Sequence, residues 1–178
     1  VTFAQRYLIK GITFGAVNDI PDSGYAGIID AGAAGIVQAA TAAIVFAFAS
    51  GNALNVSDGT NTVTVANNYI ENFIGGEGND TFDFDDDERV TGFVDGYLGD
   101  DSLDYADYIV TRGVDVTLTG AGAFDGYDGT VTDTIDPPSI FYIGLGFRNM
   151  DDFVGGAGND RFTGVGLVSN WTIEEAIT

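Results

Sequence analysis

Residues 75–82 read Gly75-Gly76-Glu77-Gly78-Asn79-Asp80-Thr81-Phe82, and nearly the same string returns 80 residues later as Gly155-Gly156-Ala157-Gly158-Asn159-Asp160-Arg161-Phe162. With 26 Gly, 11 Asn and 22 Asp in 178 residues, Gly-Gly-x-Gly-Asn-Asp is expected roughly 0.004 times by chance, so two copies mark a repeat. The likeness extends upstream, where Ile70-Glu71-Asn72-Phe73-Ile74 matches Met150-Asp151-Asp152-Phe153-Val154. A degenerate third copy, Gly96-Tyr97-Leu98-Gly99-Asp100-Asp101-Ser102-Leu103-Asp104, aligns without gaps to residues 75–83 at a shift of 21.

A second set of matches runs at a shift of 70: Ile44, Phe46 and Phe48 before Asp58-Gly59-Thr60 mirror Val114, Val116 and Leu118 before Asp128-Gly129-Thr130. The chain therefore reads as a duplication. An extension or cap over 1–28 precedes one unit at 29–102 and a second at 103–178, which carries a C-terminal cap and an insertion around Pro137-Pro138. Asp80, Asp101 and Asp160 are separated by 21 and 59 residues, close to one and three multiples of 20, and Gly15-Ala16-Val17-Asn18-Asp19 looks like a decayed earlier copy. A recurrence near 20 residues fits one coil of a β-solenoid, two strands and two turns. Alternating runs at 60–65, 114–118 and 130–135 supply strands. The sequence thus predicts an all-β fold, a β-solenoid or parallel β-roll without long amphipathic helices, with a helical turn or another strand at 172–178.

Composition narrows the chemistry. The absence of Cys and His removes disulfides, thiolate nucleophiles, imidazole acid–base catalysis and the usual zinc sites, and Lys10 is the only lysine. Six basic against 27 acidic residues give a net charge of −21, which repels nucleic acid and anionic membranes and attracts cations. The acids are 22 Asp and only 5 Glu. Short carboxylates beside Gly and Asn suit turns and calcium loops better than a merely solubilised surface. The 13 Phe and 8 Tyr supply a core, so the charge does not imply disorder. Residues 31–49 have only Gln38 and Thr41 as polar side chains, but they are mostly Ala and Gly. Their counterpart near 107–118 contains Asp107, Arg112 and Asp115, so a buried strand, with a short Ala-rich helix before it, is expected rather than a membrane span. Val1 follows no initiator Met and no basic-then-apolar leader, which points to a processed chain or an excerpt.

In the repeated loop, glycines permit positive φ and bring backbone carbonyls close to one point, Asp adds a hard anionic oxygen, and the following apolar residue turns into the core. Calcium takes six to eight oxygens. One loop offers too few, so two loops stacked on one side must share an ion, and 75–80 with 96–101 have the required spacing. Residues 155–160 lack a partner 20 residues later, which leaves an earlier coil, an empty site, or completion by a neighbouring copy. The acidic run at 83–88 reads as a solvated turn or a further cation site, and no carboxylate pair stands out as catalytic.

The sequences IENFIGGEGNDTFD, FVDGYLGDDSLDY and MDDFVGGAGNDRFT, with the linking pattern at 113–120, resemble the haemolysin-type calcium-binding (RTX) repeat family of secreted bacterial proteins. The resemblance covers about residues 44–165. It implies export, a β-roll filled with Ca2+, and folding that waits for extracellular calcium. By the same resemblance Asp80, Asp101 and Asp160 supply carboxylate oxygens, and Gly76, Gly78, Gly99, Gly156 and Gly158 supply carbonyls. Asn79, Asp100 and Asn159 complete the set of metal-site residues. Tyr97 and Leu98 depart from the glycine pattern, so one or two ions are expected rather than a full column. The expected role is a non-enzymatic, secreted structural module of an adhesin, surface layer or self-assembling fibre, with calcium and copies of itself end to end as partners. An accessory repeat of a secreted hydrolase is the alternative, and a carboxylate-based glycosidase a third reading.

Overall fold

The computed structural model describes residues 12–16, 35–39, 43–50, 53–57, 59, 62–66, 71–109, 113–134 and 140–166. Its strands are β1 (Ile12–Ala16), β2 (Gly35–Ala39), β3 (Val45–Ala49), β4 (Ala53–Ser57), β5 (Thr62–Ala66), β6 (Asn72–Gly76) and β7 (Thr81–Phe84). They continue with β8 (Val94–Tyr97), β9 (Ser102–Asp104), β10 (Val114–Ala121), β11 (Tyr127–Asp133), β12 (Phe147–Met150), β13 (Asp152–Val154) and β14 (Arg161–Thr163). Eight strands form one sheet in the order β1-β2-β6-β8-β12-β11-β10-β14, and six form the other as β13-β9-β7-β3-β4-β5.

Both sheets are mixed, and this overturns the expected β-solenoid or parallel β-roll. Parallel pairing joins β2, β6, β8 and β12 in one sheet and β3, β7, β9 and β13 in the other, with β14 parallel to β10. The pairs β1/β2, β3/β4, β4/β5, β10/β11 and β11/β12 are antiparallel. The reason lies in the connections. Only three residues separate β3 from β4, enough for a hairpin and far too few for the crossover that a parallel neighbour needs. The alternating runs at 60–65, 114–118 and 130–135 fall largely in these hairpin strands, because period-2 alternation is the same in either strand direction.

The hairpins also break the 20-residue period. Phe73 pairs with Val94, a step of 21, whereas Val45 pairs with Thr81, a step of 36, and Val94 with Phe147, a step of 53. The surplus residues in the two long steps leave the parallel register as β4–β5 and as β10–β11. The segment 31–49 contributes β2 and β3 and shows no helix where it is described; 31–34 and 40–42 lie outside the described residues. Among the described residues no helix is long and apolar enough to cross a membrane. The proposed decayed copy at 15–19 begins in β1, antiparallel to β2, and its last three residues lie outside the described set, as do 172–178.

The core lies between the sheets. In-register parallel strands stack like residues at a strand's spacing, so alternate apolar positions become columns of side chains. Phe46 stacks on Phe82 at 4.8 Å, Phe48 on Phe84 at 4.4 Å, and Phe84 on Tyr105 at 4.8 Å. Phe73 crosses from the opposite sheet and meets Phe46 and Phe48 edge-on. All of these rings are fully buried. Burying an aromatic side chain of this size contributes on the order of 2–3 kcal/mol. These columns fix the register of the adjoining turns.

Candidate metal centre

The turns after β6 and β8 lie one on the other. Gly76 pairs with Tyr97, and the Leu98 N–H donates to the Gly76 carbonyl at 2.9 Å. At the far end the Ser102 N–H donates to the Asp80 carbonyl at 2.9 Å. Between them the Asp100 N–H donates to Asn79 Oδ1 at 3.1 Å, and Asn79 Nδ2 faces Asp100 Oδ2 at 3.4 Å. Gly76 and Gly99 have φ of 128° and 132°, in the region that favours glycine. Tyr97, the departure from the glycine pattern, is held at φ 79°, with its ring against Phe124.

The aspartates link the layers in series. Ile44 N–H donates to Asp80 Oδ1 at 2.6 Å, Asp80 N–H to Asp101 Oδ1 at 2.8 Å, and Asp101 N–H to Asp151 Oδ2 at 3.1 Å. Each carboxylate thus closes the strand start of the layer before it. Asp80 is 1% exposed and Asp101 0%. The second oxygen of each, Oδ2, is buried with no hydrogen-bond partner.

Burial pushes the Asp80 carboxyl up to about 7; the Ile44 N–H opposes this and the charge of Asp101 adds to it. Asp101 is also pushed up to about 7, first by burial, with the Asp80 N–H opposing and Asp151, Asp125 and Asp100 adding negative charge. Two buried, orphaned acceptors in successive turns are costly unless a proton or a cation satisfies them.

The surroundings fit a hard cation. A side chain at Gly75 would run into Asp80 Oδ2 and the Gly96 carbonyl, and one at Gly99 into the Gly78 carbonyl, so only glycine lets these oxygens pack so closely against the backbone. Among the described residues no three acidic side chains are grouped as a metal cage, so carbonyls must complete any coordination shell. Asp80 and Asp101, with the carbonyls of Gly78 and Gly96, are the residues that would hold such an ion.

The structure therefore brings together Gly76, Gly78, Asn79, Asp80, Gly99, Asp100 and Asp101. It places Gly156, Gly158, Asn159 and Asp160 elsewhere. Their loop rests on an earlier part of the chain: Ala157 N–H donates to the Tyr108 carbonyl at 2.9 Å, and Val114 N–H to Asp160 Oδ1 at 2.8 Å. Gly156 abuts the carbonyls of Tyr105 and Tyr108, and the Asn159 carbonyl abuts Gly113. The Val114–Asp160 bond repeats the Ile44–Asp80 bond at the shifts of 70 and 80 seen in the sequence. Asp160 is nonetheless exposed.

In the acidic run, Asp85 Oδ2 accepts the Ser50 N–H at 2.8 Å and Asp86 Oδ1 lies 3.4 Å from the Ile109 N. These acids tie strand ends. Three residues near the centre escaped the sequence reading: Asp125, whose Oδ2 accepts the Gly99 N–H at 3.0 Å, Asp151, and the buried Asn149. The Asp-Gly pair at 125–126 marks a hairpin tip in the sequence, but nothing there ties it to residue 99.

Comparison with protein-family models, curated proteins and solved structures gave no match.

Proposed function

We propose that the chain is a secreted, calcium-binding structural module whose all-β fold is locked when Ca2+ enters between loops 75–80 and 96–101. The observation that carries this reading is the pair of buried Oδ2 atoms of Asp80 and Asp101, both without a hydrogen-bond partner. A bound cation would neutralise the two carboxylates and satisfy oxygens that no N–H or O–H of the described residues reaches. Asp80 and Asp101 would anchor the ion and hold the layers in register through their other oxygens, and the glycines let the two turns approach closely.

The net charge of −21 favours the same reading, because a chain so acidic gains from cations in any compact state. An extracellular module needs an affinity of only ~10⁻⁴–10⁻³ M for calcium. In calcium-poor surroundings the repelling aspartates loosen the chain, and in calcium-rich ones it closes. The role in this reading is mechanical: a unit of an adhesin, surface layer or fibre.

The test is circular dichroism and particle size of the purified chain in millimolar calcium and in chelator. A gain of β-signal with compaction in calcium is expected. Equal folding and equal size in both would overturn the reading.

A further inference from the structure

The hairpin tip between β10 and β11, residues 122–126, is pinned by polar bonds and displays an aromatic ring. The Gly122 N–H donates to the Gly126 carbonyl at 3.0 Å, Asp125 Oδ2 accepts the Gly99 N–H at 3.0 Å, and the Phe124 N–H donates to Asn149 Oδ1 at 3.1 Å. Asn149 is buried, and its Nδ2 donates in turn to Asp95 Oδ1 at 2.7 Å. Tight turns favour small and polar residues. Here the tip instead holds Phe124 in water, 56% exposed. Among the described residues three non-glycine residues have positive φ, and two of them touch this tip: Asn149 at 50° and Tyr97 at 79°. Strained backbone persists where its surroundings over-determine it, and it clusters at functional sites.

β8 extends the patch across the outer face of its sheet. Val94 and Gly96 are buried, so Phe93, Asp95 and Tyr97 alternate on the opposite side, each half-buried. The Tyr97 ring meets the Phe124 ring at 4.4 Å. Arg148, in register with Asp95 on β12, is exposed and holds its guanidinium 4.5 Å from the centre of the Phe93 ring. Burial raises the Asp95 carboxyl, while the Asn149 amide and the Arg148 charge oppose the rise. One strip thus offers an exposed ring, a carboxylate acceptor and a guanidinium donor.

We propose that this strip is a binding site for neutral oligosaccharide chains. A sugar ring has an apolar C–H face that stacks on an aromatic ring, and hydroxyls that both donate and accept hydrogen bonds. Phe124 takes the face, Asp95 accepts from a hydroxyl, and Arg148 donates to one. Residues two apart on a strand stand roughly 6.8 Å apart, so Phe93 to Tyr97 spans roughly 13 Å, more than one sugar ring. The net charge of −21 repels a polyanionic chain, and a wholly apolar ligand would cover Asp95 and Arg148 without pairing them. None of these contacts needs an ion, so the site stands apart from the calcium reading.

Affinity electrophoresis of the full chain in calcium, through gels holding dextran, starch, xyloglucan or galactomannan, tests this, with hyaluronate as the polyanionic control. Retardation by at least one neutral polysaccharide and none by hyaluronate is expected. Phe124→Ala should weaken that binding roughly five- to tenfold and leave the melting temperature unchanged, because the ring is exposed. Phe124→Leu keeps an apolar side chain against Tyr97 but removes the aromatic face. It should weaken binding too, so the test survives a poorly folded alanine variant. Arg148→Gln should weaken binding less, and Phe141→Ala, which removes another exposed ring, should bind as wild type. No retardation in any neutral gel would overturn the site. Equal losses in Phe124→Ala and Phe141→Ala would overturn it as well, since they mean adsorption to exposed rings in general. A chain that binds a polysaccharide while calcium leaves its folding unmoved would keep this site and overturn only the calcium reading.

Discussion

Loops 75–80 and 155–160 carry the same Gly-Gly-x-Gly-Asn-Asp string and make the same hydrogen bond, an aspartate Oδ1 accepting the N–H that opens a parallel strand, at 2.6 and 2.8 Å. Their surroundings differ. The first is enclosed between the layers of β3 and of β8–β9, and its aspartate is buried with one oxygen orphaned. The second follows β13 and precedes β14, each at the end of its sheet, and its aspartate is exposed. The motif supplies a turn and a carboxylate in both places. Enclosure by a second glycine–aspartate turn is what converts the carboxylate into a group needing a cation.

The largest expected difference is between Asp80→Ala and Asp160→Ala. The first leaves the buried Ile44 N–H without its acceptor and removes a ligand, and in millimolar calcium should cost on the order of 4 kcal/mol. The second removes an exposed carboxylate from the part-buried Val114 N–H, with no orphaned oxygen or ion involved, and should cost less, about 1 kcal/mol. Denaturant unfolding of both variants in calcium measures the gap, and equal losses would dissolve the distinction between the loops. In chelator the gap should shrink, since Asp80→Ala then also removes a buried carboxyl.

The same contrast has a pH dependence. In the folded, calcium-free chain Asp80 and Asp101 sit near 7, against an ordinary value of 3.8. Between these values the folded state holds protons that the unfolded state has released. Calcium-free stability should therefore be full below about pH 4, fall by a few kcal/mol toward pH 7, and level off above it. Calcium selects the ionised carboxylates, so calcium affinity should rise across the same window, with proton release on binding. Melting temperatures in chelator at about pH 5 and about pH 8 test this; a higher value at the alkaline end would contradict the enclosed carboxylates. Asp80→Asn should make the profile shallower, with Asp101 still contributing, and Asp160→Asn should change it less, since burial raises the Asp160 carboxyl as well but on an exposed side chain.

Glycine at the head of each loop gives a smaller difference. A methyl group at Gly75 meets Asp80 Oδ2 and the Gly96 carbonyl inside a buried turn, where neither can retreat. Gly75→Ala should cost about 1–3 kcal/mol. At Gly155 the atoms nearest the methyl group all belong to Asp160, whose exposed side chain can swing away, so Gly155→Ala should cost under about 1 kcal/mol.

How much of this was legible in the sequence follows from what each signal encodes. The step of 21 between residues 75 and 96 describes an uninterrupted connection, and there the register in space equals the register in sequence. The all-β class was legible too, from alternation and from the 13 Phe that supply a core. Strand direction was not, because alternating residues look alike in β4 and in β7, and only the three-residue connection after β3 forces the reversal. Asp125 and Asn149 were invisible for another reason. Their approach to residues 96–101 depends on how β10, β11 and β12 pair, and the short turn at 149–151 has lost the glycines that would have announced it.

The finest comparison lies one residue before each aspartate. Asn79 and Asp100 exchange hydrogen bonds across the stacked turns, one through a backbone N–H at 3.1 Å and one at 3.4 Å, at a surface where water competes for both. Such bonds contribute about 0.5–1.5 kcal/mol at best. Asn79→Ala should therefore sit near the lower end, about 0.5 kcal/mol. At Asn159 it is the backbone carbonyl that abuts Gly113, and an exposed side chain there can be truncated without touching that contact. Asn159→Ala should fall within about 0.3 kcal/mol of wild type. Paired chemical unfolding in chelator resolves this difference apart from any ion. If Asn159→Ala proved the more damaging, loop 155–160 would be held by its side chains, and its contrast with loop 75–80 would be one of degree rather than of enclosure.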